Sequence, residues 1–269
     1  MIERLMKKRF WQSEWQDIKF KNINTPKSVF HLPTSDFYTA FYSELFKKYE
    51  NYHDLPIKWR NDKNGITTEI VKLLTPYKET LSIGCGLGFI EKEIVKSLPD
   101  LNIDAYDYAT NANKWLLDVK GVKSLNSLNR NHKYKFIYCT GLLYALKENE
   151  ISDLAEFIKK HLDKDGVFLT VDTSLDLNEN SEHSKKVNAP LNQHPNSDRR
   201  ILNAFNLIKI LKDLFRPYYY FFFKRHTHQL WGWKRDNHEI KLIFHKNGFS
   251  TLRAFSAAGQ SFIMFSLKK

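Results

Sequence analysis

The stretch Leu81-Ser82-Ile83-Gly84-Cys85-Gly86-Leu87-Gly88-Phe89-Ile90 decides the fold of this chain. An apolar strand runs into three alternate glycines and passes directly into a helix. A backbone that turns this sharply, and lets a ligand come close, has no room for Cβ atoms. The N–H groups exposed where the helix begins then favour a negative ligand group. Twenty-three residues after Gly84, at the end of the next expected strand, stands Asp107. At that distance a carboxylate can accept hydrogen bonds from both hydroxyls of a ribose. A nicotinamide fingerprint would place its third glycine three positions after the second, where this chain has Phe89.

Outward from the loop, short apolar runs alternate with helical patterns, as in a parallel sheet covered by helices. Strands are expected near 80–84, 102–107, 121–125, 134–140 and 166–172. Ile90, Ile94 and Leu98 mark one helix, and Ile151, Leu154, Ala155, Ile158 and Leu162 mark another. Asp165-Gly166 reads as the turn into the fifth strand.

The chain resembles the class I, Rossmann-like S-adenosylmethionine-dependent methyltransferases, most clearly over residues 78–175. Their G-x-G-x-G loop is matched by Gly84, Gly86 and Gly88, with Cys85 between. The resemblance makes Asp107 the ribose acid and Tyr108 the adenine-packing residue. Asn126-Ser127 stands where the family often contacts the adenine amine, and Thr140 and Leu142 fall in the segment lining the methionine half of the cofactor. It implies a mostly parallel seven-stranded sheet with an antiparallel C-terminal edge, a helical N-terminal lid and an inserted cap. Two positions depart from the family. Ser82 stands where an acid commonly helps hold the cofactor's amino group, with Glu79 a possible substitute, and Lys135 stands where an Asp is common early in the fourth strand.

The whole chain, 1–269, reads as one domain without internal repeats. Residues 1–75 form a mainly helical, aromatic-rich region, with Tyr38, Phe41, Tyr42, Leu45 and Phe46 at helical spacing and Ser35 or Asp36 as N-cap. Residues 76–175 are the cofactor-binding core. Residues 176–237 are the cap, containing an amphipathic helix and the run Tyr218–Phe223. Residues 238–269 are a last helix ending at Asn247-Gly248, followed by two strands near 249–256 and 261–267.

Net charge is +12, divided as +4 over residues 1–63, −1 over 64–175 and +9 over 176–269. Basic flanks around a near-neutral core suggest an anionic small-molecule or glycan acceptor, with RNA or peripheral membrane contact as alternatives. Arg199, Arg200, Arg216, Lys224, Arg225, Lys234 and Arg235 are the candidate anion binders, and Trp231 and Trp233 suit stacking. The expected reaction is O-methylation of a sugar, nucleotide-sugar or similar intermediate. RNA methylation, or a non-catalytic binding protein on the same fold, are the alternatives. An alcohol acceptor needs a base, for which His226 and His228 are candidates and Asp172 a weaker one. Two cysteines, no metal-ligand spacing and no secretion signal or spanning segment suggest a cytoplasmic, metal-free protein.

Overall fold

The computed structural model describes residues 9–23, 33–109, 111–127, 132–174, 211, 215 and 229–268. At its centre lies a seven-stranded sheet built from β4 (Glu79–Ile83), β5 (Asn102–Tyr106), β6 (Val122–Leu125), β7 (Tyr134–Thr140), β8 (Leu162–Asp172), β10 (Phe249–Ala257) and β11 (Gln260–Leu267). Their spatial order is β10-β11-β8-β7-β4-β5-β6. The five strands from β6 to β8 run parallel, and β11 joins β8 antiparallel, with Phe262 opposite Val171. Strand order reverses between β4 and β7, so the crevice beyond their carboxyl ends is where ligands bind in such sheets.

Both faces of the sheet are covered, which explains why its strands read as nearly continuous apolar runs. One side packs helix α2 (Ile57–Leu74) and α3 (Phe89–Ser97), through Ile66, Ile70, Ile90 and Ile94, onto Ile103, Phe136, Tyr138 and Leu169. The other packs α4 (Glu148–His161) and α5 (Asn237–Lys246), through Ile151, Ile158, Ile243 and Phe244, onto Leu81, Ile137 and Phe168. Each such apolar side chain, fully buried, contributes roughly 1.5–3 kcal/mol.

A third apolar cluster sits above the crevice. Helix α1 (Ser35–Lys48) turns Phe37, Tyr38, Phe41, Tyr42 and Leu45 inward, the helical stripe read from its sequence. Its N-cap is Thr34, whose hydroxyl accepts from Phe37 N at 3.1 Å, one residue before the expected Ser35. The segment before α1 carries short strands as well as helix: β1 (Arg9–Gln12), β2 (Glu14–Trp15) and β3 (Ile18–Lys19). Their aromatic-rich sequence has no helical stripe, and β1 gains a partner only from a distant part of the chain. That partner is β9 (Gln229–Trp233), which pairs with it antiparallel. Trp231 on β9 then stacks on Phe20 and meets Phe37 and Tyr38 edge-on.

The fifth strand starts earlier than expected. Leu162 already pairs with Tyr134, and Val167 pairs with Phe136, so residues 163–166 bulge against Lys135 alone. Asp165-Gly166 therefore bends a continuous strand instead of preceding one. After β8 the chain leaves at Ser174 and returns beside it, where Arg235 bridges to Ser174. Apart from Leu211, Phe215 and β9, the polar stretch and aromatic run assigned to the cap lie outside the described residues.

Candidate functional site

The carboxyl ends of β4, β5 and β7, together with α1 and α2, enclose a cavity of 830 Å³. Its floor is Gly84, Cys85, Gly86 and Leu87, its far wall Thr140, Gly141 and Leu142, and its roof Trp15, Tyr38, Tyr42 and Tyr144. The loop between β4 and α3 is pinned from three sides. Gly84 N donates to Tyr106 O at 2.8 Å, Gly88 N to Cys85 O at 2.9 Å, and the Tyr52 hydroxyl to Leu87 O at 2.7 Å. Gly86 and Gly88 both hold positive φ, +54° and +74°. A Cβ on Gly86 would sit 2.8 Å from the Tyr42 hydroxyl, and one on Gly88 would strike Leu116 at 2.1 Å. The first glycine thus keeps the cavity floor bare, and the second seats the start of α3.

Asp107 stands at the loop's edge. One carboxylate oxygen accepts from Gly86 N at 2.9 Å and the other from Ala109 N at 2.8 Å. Burial pushes its carboxyl above the usual carboxylate range, while these two donors pull it back. A carboxylate offers about four lone-pair sites, so two remain for a ligand diol. Bare glycines facing a cavity and a half-satisfied carboxylate beside them fit an adenosyl group.

Of the residues read from the sequence as cofactor ligands, Gly84, Cys85, Gly86, Asp107, Tyr108, Thr140 and Leu142 line the cavity. Gly88 supports from behind. Asn126 and Ser127 are exposed beyond β6 and do not line it. Glu79 is exposed at the amino end of β4, the wrong end of the strand to replace an acid at position 82. Lys135 also lies far from the cavity, in an ion pair with Asp163 at 3.0 Å on the amino end of β7. Its departure from the family therefore leaves the cofactor side untouched.

The candidate bases divide. His226 and His228 lie outside the described residues. Asp172 is buried at the end of β8, accepting from Leu143 N, Tyr144 N and the Thr170 hydroxyl at 3.2–3.4 Å. Burial pushes its carboxyl up to about 6. It braces the turn that carries Tyr144 and is not part of the cavity wall.

Arg235, read as an anion binder, is instead committed to the protein. Its guanidinium donates to Leu143 O and Leu146 O, both at 2.7 Å, and lies 3.7 Å from Glu239. Arg199, Arg200, Arg216, Lys224 and Arg225 lie outside the described residues. Both cysteines are free, and the described residues hold no cluster suited to a metal.

The sequence reading gave residues 1–75 as a helical lid but did not single out Tyr38, Tyr42 or Tyr144 as site residues. Tyr38 on α1 and Trp231 on β9 pack edge-on, and both lie beside the Tyr144 hydroxyl on the turn after β7. Tyr38, Tyr42, Tyr108 and Tyr144 are all held protonated by burial, so their hydroxyls act as donors and orienting groups at neutral pH. The helical stripe at 38, 41, 42 and 45 marked these residues as buried. It could not mark which of them would face a ligand.

Residues 45–182, just over half of the chain, match the family model described as tellurite resistance protein TehB. No curated protein matches the sequence. Among solved structures, human N-acetylserotonin methyltransferase in complex with SAM superposes with a TM-score of 0.55 at 14% identity, covering 88% of this chain and 57% of that one. A DhpI–SAH complex gives 0.55 at 11% identity, covering 87% of this chain and 95% of the other. TnmH gives 0.53 at 11% identity, covering 86% and 58%. This chain therefore spans little more than half the length of the human enzyme and of TnmH. At these identities the likeness is one of fold.

Proposed function

We propose that this chain, which belongs to the TehB family of S-adenosylmethionine-dependent methyltransferases, methylates a hydroxyl group of a small acceptor. The observation that carries the proposal is the cavity's construction: a bare glycine floor and Asp107 on one side, a tyrosine roof on the other. Its 830 Å³ lies in the range of roughly 300–1,000 Å³ that suits small molecules. An acceptor of that size, or the tip of a larger one, can be enclosed beside the cofactor. Double-stranded RNA cannot. The net positive charge of the chain favours acceptors carrying phosphate or carboxylate, such as sugar phosphates and nucleotide-sugars.

When bound, the cofactor supplies an electrophilic methyl group on a sulfonium. The protein's task is alignment and exclusion of water. Asp107 and the loop backbone hold the adenosyl end. Tyr38, Tyr42 and Tyr144 offer aromatic faces to the acceptor and hydroxyl donors to orient it. An alcohol must lose its proton as its oxygen forms the new bond, and the buried tyrosines are too weakly acidic to hold a vacant base site. We assign that role to His226 or His228, which immediately precede β9, the strand whose Trp231 packs against Tyr38 of the roof.

A methyl-transfer screen with labelled S-adenosylmethionine over sugar phosphates, nucleotide-sugars and RNA tests the assignment. His226→Ala or His228→Ala should lower turnover while leaving S-adenosylhomocysteine affinity in place. Full activity in both variants removes the proposed base, and label transferred only to RNA removes the acceptor class.

A further inference from the structure

The cavity extends well past the glycine loop. Asp107 follows β5, whereas Thr173 follows β8 and Gln260 opens β11, and all three line it. Because β11 runs antiparallel to β8, its first residues meet the carboxyl ends of the parallel strands, with Ser261 opposite Asp172. In the order β11-β8-β7-β4-β5, the strands bearing Gln260 and Asp107 are four steps apart. At roughly 4.8 Å per step, the two ends of the cavity are separated by on the order of 19 Å.

The β8–β11 end is assembled from three elements. Trp59, Lys63 and Ile66 stand at helical spacing on α2 and line the cavity. The hairpin of β10 and β11 docks beside them. Its tip, Ala258-Gly259, holds left-handed φ of +48° and +67°, and a Cβ on Gly65 would sit 3.1 Å from the Ala258 Cβ. Lys63 Nζ lies 5.7 Å from the centre of the Trp59 ring and makes no hydrogen bond or ion pair among the described residues. Asp62 also lines the cavity but is exposed and forms no ion pair with it. The Thr173 hydroxyl donates to Gln260 Oε1 at 3.1 Å, which fixes the amide and leaves its NH2 group without a partner among the described residues. An ammonium and an amide NH2 can only donate. Two such groups line one end of the cavity with no acceptor of their own among the described residues.

We propose that Lys63 and Gln260 form the subsite that takes the phosphate or carboxylate of the acceptor, with Thr173 orienting the glutamine. The inference rests on the methyltransferase reading and deepens it. The glycine loop and Asp107 occupy the β4–β5 end, and the acceptor's charge is met at the opposite one. An ammonium is a point charge that serves either anion, and the Trp59 ring beside it supports the cation.

Calorimetry on the S-adenosylhomocysteine-saturated protein tests the subsite with glucose 6-phosphate, glucuronate and glucose as probes. At least one anionic sugar should bind wild type about 10-fold or more tighter than glucose, the size of one charged hydrogen bond. The stronger of the two tells phosphate from carboxylate. Lys63→Met should bring that sugar within about 2-fold of glucose, and Gln260→Leu should weaken it by about 3-fold or more, both with S-adenosylhomocysteine affinity within about 2-fold of wild type. Neither anionic sugar exceeding glucose overturns the subsite and leaves the cofactor reading intact. So does a preference that survives in folded Lys63→Met. A loss of about 10-fold in S-adenosylhomocysteine affinity in Lys63→Met also overturns it, since the lysine would then serve the cofactor. A wild-type protein that does not bind S-adenosylhomocysteine overturns the methyltransferase reading itself. Gln260 is half-buried beside a turn, so Gln260→Leu decides the matter where Lys63→Met does not fold.

Discussion

Replacing Asp107 separates loop shaping from ligand binding, because its two oxygens already perform the first task. In Asp107→Ala, Gly86 N and Ala109 N lose their acceptors, formed at 2.9 and 2.8 Å. Hydrogen bonds to charged groups contribute about 1.5–3 kcal/mol each. Removing a desolvated carboxylate returns part of this, so the net loss of stability should be about 1–3 kcal/mol. For a chain of this size that lowers the melting midpoint by about 2–4 °C per kcal/mol. The variant should therefore still fold.

Ligand binding should suffer more. If the remaining lone pairs hold a diol, losing one or two charged hydrogen bonds costs roughly 1.5–6 kcal/mol, or at least about 10-fold in affinity. Asp107→Asn keeps one acceptor oxygen and should fall between the variant and wild type. The assay is calorimetric titration with S-adenosylhomocysteine, with circular dichroism to establish folding. A folded Asp107→Ala protein binding within about 2-fold of wild type refutes the role given to this carboxylate.

Three further perturbations probe other parts of the argument. Gly88→Ala places a Cβ 2.1 Å from Leu116 at φ +74°, combining left-handed strain with overpacking, and should cost about 2–5 kcal/mol in urea unfolding. Adding Leu116→Ala should restore part of that, and no recovery would show the contact to be unimportant. Asp172 titrates near 6 when folded and near 3.9 when unfolded, so the folded state gains from protonation; that stability is fully present below about pH 4 and lost as pH rises through 6. Relative to Asp172→Asn, wild type should therefore lose up to about 3 kcal/mol between pH 4 and 7.5, whereas parallel pH profiles would contradict the assignment. For an anionic acceptor, Arg199→Gln with Arg200→Gln should raise the acceptor KM, less so at high salt, with cofactor affinity unchanged; an unaltered KM removes that pair from recognition.

The glycine-loop side of the cavity was legible because its physics is local. A run of apolar residues ending in alternate glycines constrains φ and side-chain volume within ten residues, and the strand and helix periods on either side follow from burial. Asp107 followed from its position after the next strand. The roof of the cavity depends on contacts across the chain. Tyr42 reaches Gly86 only because α1 folds back over the crevice, and Trp231 packs against the roof residues Trp15 and Tyr38 from β9, which pairs with β1. Helical spacing in α1 identified the inward face, which is the same for packing and for ligand contact. Asp165-Gly166 misled for a related reason: turn chemistry also serves a bulge, and only pairing with β7 tells them apart.

Glu91 was hidden differently. An acid in the first turn of a helix is ordinary, since it complements the helix dipole and usually faces water. The signal against that reading was its face. Ile94 and Val95 follow it by three and four residues, and both are buried, so Glu91 shares their inward side. An acid placed there demands donors, and the neighbouring strand supplies them through Ser82 and Tyr138. The serine and the glutamate thus depend on each other. With an acid at 82, Glu91 would face a like charge at hydrogen-bonding distance inside the protein. With a serine at 82, Glu91 gains a donor, and the fold holds a single buried carboxylate beneath the loop.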